Sequence, residues 1–332
     1  MQAMWLKELK SPLVFEETTP PVPEPGWALI ELKAAALNRR DYWITLGMYP
    51  GIELPKILGS DGAGIVRAVG DSDDEPWVGS EVIFNPAWNW GTHESAQAAQ
   101  FEIAGMPSNG TFASHIVVPV ATLRNKPPHL DWNQAAALPL AGLTAYRAVM
   151  TQGQLRPGEK VLISGIGGGV ATLALQMAVA VGAKVAVTSS SQHKIERAKD
   201  LGATHGFDYN DPQWHKEAAT KFGNPSLIID SAAGPGYAQL VSLAASGGRI
   251  VNYGATRGPV EKLDMFKLFW NQLHLIGSTM GSPHDFREML HLVDKHGLVP
   301  VIDDIFPLDQ ANHALEKLSA STQFGKVVLM MG

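Results

Sequence analysis

Residues 159–188 leave the chain few choices of fold. Glu159-Lys160-Val161-Leu162-Ile163-Ser164 is short, apolar and rich in β-branched side chains, the composition of a strand buried on both faces. Gly165-Ile166-Gly167-Gly168-Gly169-Val170-Ala171 follows at once, and residues 172–181 are small and apolar with no proline. That pattern predicts a helix packed closely on a sheet. Gly182 ends it, and Lys184-Val185-Ala186-Val187-Thr188 begins a second strand. Strand, glycine turn, helix and strand in about thirty residues make a βαβ unit.

The glycines have a specific use. A dinucleotide pyrophosphate lies against bare backbone at a helix N-terminus, where open N–H groups and the helix dipole favour negative charge. Gly167, Gly168, Gly169 and Val170 are therefore expected to face the pyrophosphate. Counted from Gly165, the third glycine of G-x-G-x-x-G falls on Val170; Ala171, one residue on, is small enough to let helix and strand approach. The end of the second strand bears on which dinucleotide binds. An NAD site usually holds the ribose 2′-hydroxyl with an Asp or Glu there, but this chain reads Thr188-Ser189-Ser190-Ser191-Gln192-His193-Lys194 and its first acid is Glu196, inside the next helix. Hydroxyls followed by a lysine suit a 2′-phosphate, and no carboxylate repels it. Ser189, Ser190 and Lys194 are expected at the adenosine phosphate of NADP(H). A serine N-cap beside an exposed lysine would read the same way, and both can hold at once.

A chain of 332 residues suggests two domains. The net charge of −6 comes with no basic cluster, which argues against binding nucleic acid through its phosphates. No apolar run is long enough for a signal peptide or a bilayer span, so the expectation is a cytoplasmic protein with no membrane partner. The absence of cysteine removes disulfides, thiolate metal ligands and a cysteine nucleophile.

Short strands and turn residues fill the first part of the chain. Residues 14–17, 27–33, 62–70, 80–84 and 112–119 read as strands of an all-β module with partial barrel character, and the proline-rich 20–26 as a rigid loop. Residues 131–150 read as one helix capped by Asp131. Beyond the βαβ unit come strands at 205–208, 227–230, 249–253 and 273–278, making six, as a doubly wound sheet requires. Helices follow at 286–296 and 308–318, and a last strand at 326–329 could return to the first module.

Several motifs occur together along nearly the whole chain: Leu37-Asn38-Arg39-Arg40-Asp41 with Gly47-Met48-Tyr49-Pro50, Leu58-Gly59-Ser60-Asp61-Gly62-Ala63-Gly64, Gly110-Thr111-Phe112-Ala113, Ala141-Gly142-Leu143-Thr144-Ala145-Tyr146, Gly168-Gly169-Val170-Ala171 and Phe324-Gly325-Lys326-Val327-Val328. In them the chain resembles the zinc-free branch of the medium-chain dehydrogenase/reductases, the quinone oxidoreductase-like and enoyl reductase-like proteins. The resemblance implies an α/β fold: a six-stranded doubly wound Rossmann domain at 131–280, and a GroES-like β-barrel catalytic domain at 1–130 to which 281–332 returns. It also implies an active site in the cleft between them and a homodimer formed through the sixth strand.

The resemblance assigns roles residue by residue. The family's catalytic zinc ligands fall on Asn38, Ser60 and Ala141, none of them the soft or imidazole donor that a tetrahedral site wants, so no metal is expected. Without a Lewis acid, hydrogen-bond donors must polarise the carbonyl. Tyr49 is expected to donate to the substrate carbonyl, Asn38 to orient substrate or nicotinamide, and Asp41 to organise its loop. Thr144, Tyr253, Gly254 and Thr279 are expected at the nicotinamide half, and Lys326 near a phosphate. Trp88, Trp90, Phe101 and Met106 could shape a substrate pocket or be a loop's own small core. The implied activity is NADPH-dependent hydride transfer to a quinone or α,β-unsaturated carbonyl. Alternatives are alcohol dehydrogenase or ketone reductase activity, and a catalytically silent nucleotide-binding protein.

Overall fold

In the computed structural model, which describes residues 1–332, the chain forms two units: Met1–Ala141 with Ser282–Gly332, and Gly142–Gly281. The first is built on the Trp27–Ala36 strand, whose side chains alternate between half-buried and buried along most of its length, the period of two that puts every second residue into a core. It pairs antiparallel with Asp61–Val69, His115–Pro119 and Lys326–Met330. The C-terminal strand thus returns to the first module. Sheet order runs Leu123–Asn125, Glu81–Phe84, Asp61–Val69, Trp27–Ala36, Lys326–Met330, Ile302–Pro307. Gly64 is glycine because a Cβ there would meet the Glu31 carbonyl oxygen at 2.1 Å.

Several strands of this unit escape the sequence pattern, among them Gln2–Leu6, Leu123–Asn125 and Ile302–Pro307. Gln2–Leu6 pairs with Val14–Glu17 and Lys56–Ile57. Ile302–Pro307, with Asp303 and Asp304 in its middle, pairs in parallel with Lys326–Met330. It is an edge strand with no buried residue, so it carries no apolar alternation to read.

Helix α1 (Arg39–Thr45) follows the central strand. The single helix expected over 131–150 is instead divided. Asp131 caps α2 (Trp132–Ala136), accepting from Gln134 N at 2.8 Å. Pro139 then opens α3 (Pro139–Tyr146), which runs into a π-type turn at Arg147–Gln152. Proline has no N–H and its ring clashes inside a helix, but it fits a first turn. The expected division at residue 131 accordingly moves to 141/142, because α2 packs on Trp27–Ala36 and Asp61–Val69 of the first unit.

The second unit is a parallel six-stranded sheet ordered His205–Asp208, Lys184–Ser189, Lys160–Ile163, Leu227–Asp230, Arg249–Asn252, His274–Gly277. That is the doubly wound order 3-2-1-4-5-6, which reverses direction beside the first strand. Val161, Leu162 and Ile163 are wholly buried. Helix α4 (Gly169–Ala180) begins three residues before the expected 172, so the glycine run supplies its first turn. The edge strand His274–Gly277 is largely exposed, as are Phe266, Phe269 and Trp270 of the Met265–Trp270 helix. No helix is long and apolar enough to cross a membrane.

Candidate functional site

In the second unit, the glycine turn is tied to the end of the neighbouring strand. Gly165 N donates to Thr188 Oγ1 at 3.0 Å and Ile166 N to the Thr188 carbonyl at 2.8 Å. Gly165 (φ 65°) and Gly167 (φ 142°) occupy backbone conformations that favour glycine. Gly168 precedes α4 as its N-cap with no side-chain cap, and a Cβ on Gly168 would enter open space. Folding alone therefore does not require glycine at 168. What the bare position does is leave the first-turn N–H groups of α4 open toward that space, the arrangement that fits a pyrophosphate. Ala171 is buried, the small residue at the helix–sheet contact.

Beside this turn lies a polar network that the motifs did not disclose. Ser164 Oγ donates to the Asp230 carboxylate, which also accepts from Asn252 Nδ2 and Ala233 N, each at 2.8 Å. Asn252 Oδ1 in turn accepts from Tyr237 OH at 2.6 Å. Burial pushes both Tyr237 and Tyr253 up to about 12, with Asp230 adding to each and a hydrogen bond with Ser231 opposing it at Tyr253, so both are neutral phenols across the physiological range.

At the adenosine end the three serines divide their work. Ser189 is buried and its Oγ accepts from Ser191 N at 3.1 Å, so it faces inward where a phosphate contact was expected. Ser191 is the N-cap of α5 (Gln192–Asp200), accepting from Lys194 N at 3.4 Å. Ser190 is exposed, and its hydroxyl accepts from Tyr209 OH at 3.0 Å. Tyr209 was missed. Its one available signal was register: Ser189 pairs with Asp208, and Tyr209 is the next residue.

The remaining cofactor candidates lie at strand or helix ends of this unit. Thr144 is buried in α3, 3.9 Å from Met280 Sδ, while Thr279 is exposed and Tyr253 half-buried. Gly254 lines an open hollow of about 480 Å³ with Tyr237, Asn252, Val260, Leu263 and Leu275. None of the glycine-turn residues reaches that hollow, so it is not the pyrophosphate cradle.

The first unit gathers Asn38, Asp41, Asp61 and Lys326 into one buried cluster. Asn38 precedes α1, and its N–H donates to Asp41 Oδ2 at 2.7 Å while Gly59 N reaches Asp41 Oδ1 at 3.3 Å. Asp41 thus ties two loops together. It is 0% exposed, and burial raises its carboxyl to about 6 against the opposing pull of Arg40, the Asn38 N–H and Lys326. Asn38 Nδ2 donates to Asp61 Oδ2 at 2.9 Å, and Asn38 Oδ1 accepts from Lys326 Nζ at 2.7 Å.

The placement of Lys326 near a phosphate does not hold. Its side chain is 4% exposed, and its three ammonium protons are spent on the Leu37 carbonyl, Asn38 Oδ1 and Asp61 Oδ2 at 2.7–2.8 Å. A lysine so enclosed fixes the Asn38 amide instead. Trp88, Trp90 and Met106 are buried, with Trp90 edge-on to Phe101 at 5.4 Å. Trp88 and Met106 belong to the main hydrophobic core of the first unit, so for them neither the pocket wall nor a separate loop core describes the packing, and only the Trp90–Phe101 pair is local to the loop.

Tyr49 is half-buried beyond the end of α1. Beneath it lies Arg40, which the motif reading passed over. The Arg40 guanidinium sits 5.0 Å from the Tyr49 ring centroid, with Nε 3.5 Å from Tyr49 Oη. Its Nη1 donates to Ser60 Oγ at 2.6 Å and to the Ala104 carbonyl at 2.9 Å. Nothing in the local sequence distinguishes Arg40 from its exposed-looking neighbour Arg39.

The donor set does not fit a zinc ion. Asn38 presents an amide already bound on both atoms, Ser60 a hydroxyl held between Arg40 and the Ala104 carbonyl, and Ala141 nothing. A buried guanidinium bonded to Ser60 repels a cation. No group of three or more His, Cys, Asp or Glu side chains is placed to hold a metal.

Comparison with known proteins agrees with this architecture. Residues 24–128 match the alcohol dehydrogenase GroES-like domain and residues 169–295 the zinc-binding dehydrogenase family. A zinc-type alcohol dehydrogenase-like protein of Schizosaccharomyces pombe is 35% identical over 92% of this chain and 91% of its own. An acryloyl-coenzyme A reductase of Sulfurisphaera tokodaii is 27% identical over 99% of each chain. The crystal structure of an NAD-dependent alcohol dehydrogenase, 35% identical, matches over the full length of both chains with a TM-score of 0.93. The chain belongs to the medium-chain dehydrogenase/reductase superfamily, zinc-type alcohol dehydrogenase-like, and is an oxidoreductase of that family.

Proposed function

We propose that the protein is a zinc-independent, NADPH-dependent reductase that delivers hydride to a quinone or an α,β-unsaturated carbonyl compound. The observation that carries this reading is the Tyr49–Arg40–Ser60 arrangement. The polar groups gathered there are a phenol, a guanidinium and a hydroxyl, with no imidazole or thiolate among them. Such a set polarises a carbonyl by hydrogen bonding rather than by Lewis-acid coordination.

NADPH supplies the hydride when bound. The open N–H groups of Gly168, Gly169 and Val170 would receive its pyrophosphate, while Ser190, Tyr209 and Lys194 would receive the 2′-phosphate. Tyr49 would donate to the substrate carbonyl oxygen as negative charge builds there, and the Lys326–Asp61 pair would keep the Asn38 amide in one orientation. The exposed edge strand His274–Gly277 and the apolar face of Phe266, Phe269 and Trp270 beside it in the chain are the surface on which two copies would pair as a homodimer.

A second reading, oxidation of an alcohol or reduction of a plain carbonyl, is favoured by the names of the Schizosaccharomyces relative and the structural neighbour. A substrate panel separates the two. Initial rates are measured with NADPH and with NADH on quinones, short enones, enoyl thioesters, simple ketones and alcohols. An activated double bond or quinone with NADPH is expected to give the highest kcat/KM. A ketone or alcohol as best substrate, or equal use of NADH, would overturn the reading.

A further inference from the structure

We propose that Arg40 supplies, through Tyr49, the positive charge that this site sets against a developing substrate oxyanion. This rests on the reductase reading above and extends it to a residue of the 37–41 motif to which the resemblance assigns no role.

The argument begins with solvation. Arg40 is 8% exposed, and a guanidinium withdrawn from water is costly unless it is paired or fully hydrogen-bonded. Its acceptors are Ser60 Oγ at 2.6 Å, the Ala104 carbonyl at 2.9 Å, and the Met106 carbonyl and Tyr49 Oη at 3.5 Å each. All four are neutral oxygens. Asp41, the next residue, feels Arg40, but both of its carboxylate oxygens are taken by the backbone N–H groups of Asn38 and Gly59. The loops are thus arranged to hold the cation without a carboxylate bonded to it.

The direction of the Tyr49 contact matters as much as the charge. Arg40 Nε points at the phenol oxygen, so that oxygen accepts and its own proton is left for another acceptor. Since Tyr49 is half-buried, a substrate carbonyl can be that acceptor. Were NADPH bound, hydride supplied by it to the β-carbon would break the carbon–carbon π bond and send the electron pair through the conjugated system onto the carbonyl oxygen. Tyr49 donates its hydrogen bond to that oxyanion, with the guanidinium behind it. Solvent then protonates the α-carbon, leaving the saturated carbonyl compound and the oxidised nucleotide. Arg40 does not touch the substrate, so it is a positioning residue, and its charge is felt more strongly here than it would be in water.

Arg40→Ala and Arg40→Lys test this, alone and combined with Tyr49→Phe, with folding checked by thermal melting. Arg40→Ala is expected to lower kcat on the enone by about 100-fold with NADPH affinity unchanged. Added guanidinium ion should restore part of that loss, and the loss should nearly vanish in the Tyr49→Phe background. A second probe needs no turnover: para-nitrophenolate, whose absorbance reports ionisation, should bind the wild type as the anion and Arg40→Ala much more weakly. Should Arg40→Ala not fold, Arg40→Lys, which keeps the charge, should retain that anion binding.

Unchanged kcat in folded Arg40→Ala, or losses that simply multiply with Tyr49→Phe, would overturn the proposal. So would phenolate binding indifferent to Arg40→Ala, or abolished in Arg40→Lys. If the wild type reduces no enone or quinone yet binds phenolate in an Arg40-dependent way, the charge assignment stands and the reductase reading falls.

Discussion

Lys326 Nζ and Asp61 Oδ2 lie 2.8 Å apart with the two side chains 4% and 0% exposed, although the residues are 265 positions apart in the chain. Asp61 completes its shell with Leu140 N at 2.6 Å and Asn38 Nδ2 at 2.9 Å. The pair therefore joins the C-terminal strand, the loop before α1 and the start of α3 around one carboxylate. Removing one partner of such a pair leaves an uncompensated buried charge. Lys326→Met is expected to lower unfolding free energy by about 3–5 kcal/mol. Lys326→Met with Asp61→Leu should cost less than the sum of the two single changes, because the second removes the orphaned charge. Urea titrations of the three variants read this directly, and strict additivity would show that the two side chains act independently.

The adenosine end makes a prediction about cofactor choice. Lys194→Ala should lower kcat/KM for NADPH by roughly 10–100-fold, the worth of a charge-assisted hydrogen bond, and leave NADH nearly untouched. Tyr209→Phe removes the hydroxyl that donates to Ser190 at 3.0 Å and should act in the same direction with a smaller effect. Equal losses with both nucleotides in Lys194→Ala would remove the 2′-phosphate from this surface.

How far these sites could be read from sequence depended on whether their signal was local. The βαβ unit was legible because periodicity, glycine placement and strand composition all report on neighbouring residues; the strands at 205–208 and 227–230 match the structure residue for residue. Ile302–Pro307 was not, since an edge strand carrying two aspartates lacks the alternation that marks burial. Asn38 and Tyr49 stood in a recognisable motif, and so did their partners, but nothing in the motifs said which of these residues pair. Arg40 reaches Ser60, and Lys326 reaches Asp61 across most of the chain. A lysine flanking a terminal strand reads as solvated, and only the tertiary fold shows it enclosed. Helix 131–150 failed on a local rule that the pattern did contain: Pro139 opens a helix more readily than it continues one.

Asp41 gives a pH signature. Its carboxyl is raised from 3.8 to about 6, chiefly by burial, so between those values the folded protein binds more proton than the unfolded chain. Stability then falls as pH rises through that window, and the contribution from Asp41 is most favourable at the acid end. A shift of about two units corresponds to about 3 kcal/mol. Asp41→Asn is neutral throughout and lacks this slope. The difference in unfolding free energy, wild type minus Asp41→Asn, should therefore decline from pH 4 to pH 6 and level off above. Denaturant midpoints at intervals across that range test it, and a flat or rising difference would mean that the Asn38 and Gly59 N–H groups outweigh burial.

Gly168 separates folding from nucleotide binding. Its φ of −79° is open to any residue, and an added Cβ meets no atom within 4 Å. Gly168→Ala should therefore fold normally, its stability within about 1 kcal/mol of wild type, since the poorer N-cap is offset by a less flexible unfolded chain. The same methyl would stand at the mouth of α4, where the pyrophosphate needs bare backbone, and NADPH affinity should drop by about tenfold or more, a cost of about 1.4 kcal/mol or greater. Gly64→Ala is the contrasting control: its Cβ would lie 2.1 Å from the Glu31 carbonyl oxygen, so it should lose stability while the glycine turn itself is unaltered. Calorimetry paired with NADPH fluorescence titration distinguishes the two kinds of glycine. Undiminished NADPH binding by Gly168→Ala would place the pyrophosphate elsewhere on the chain.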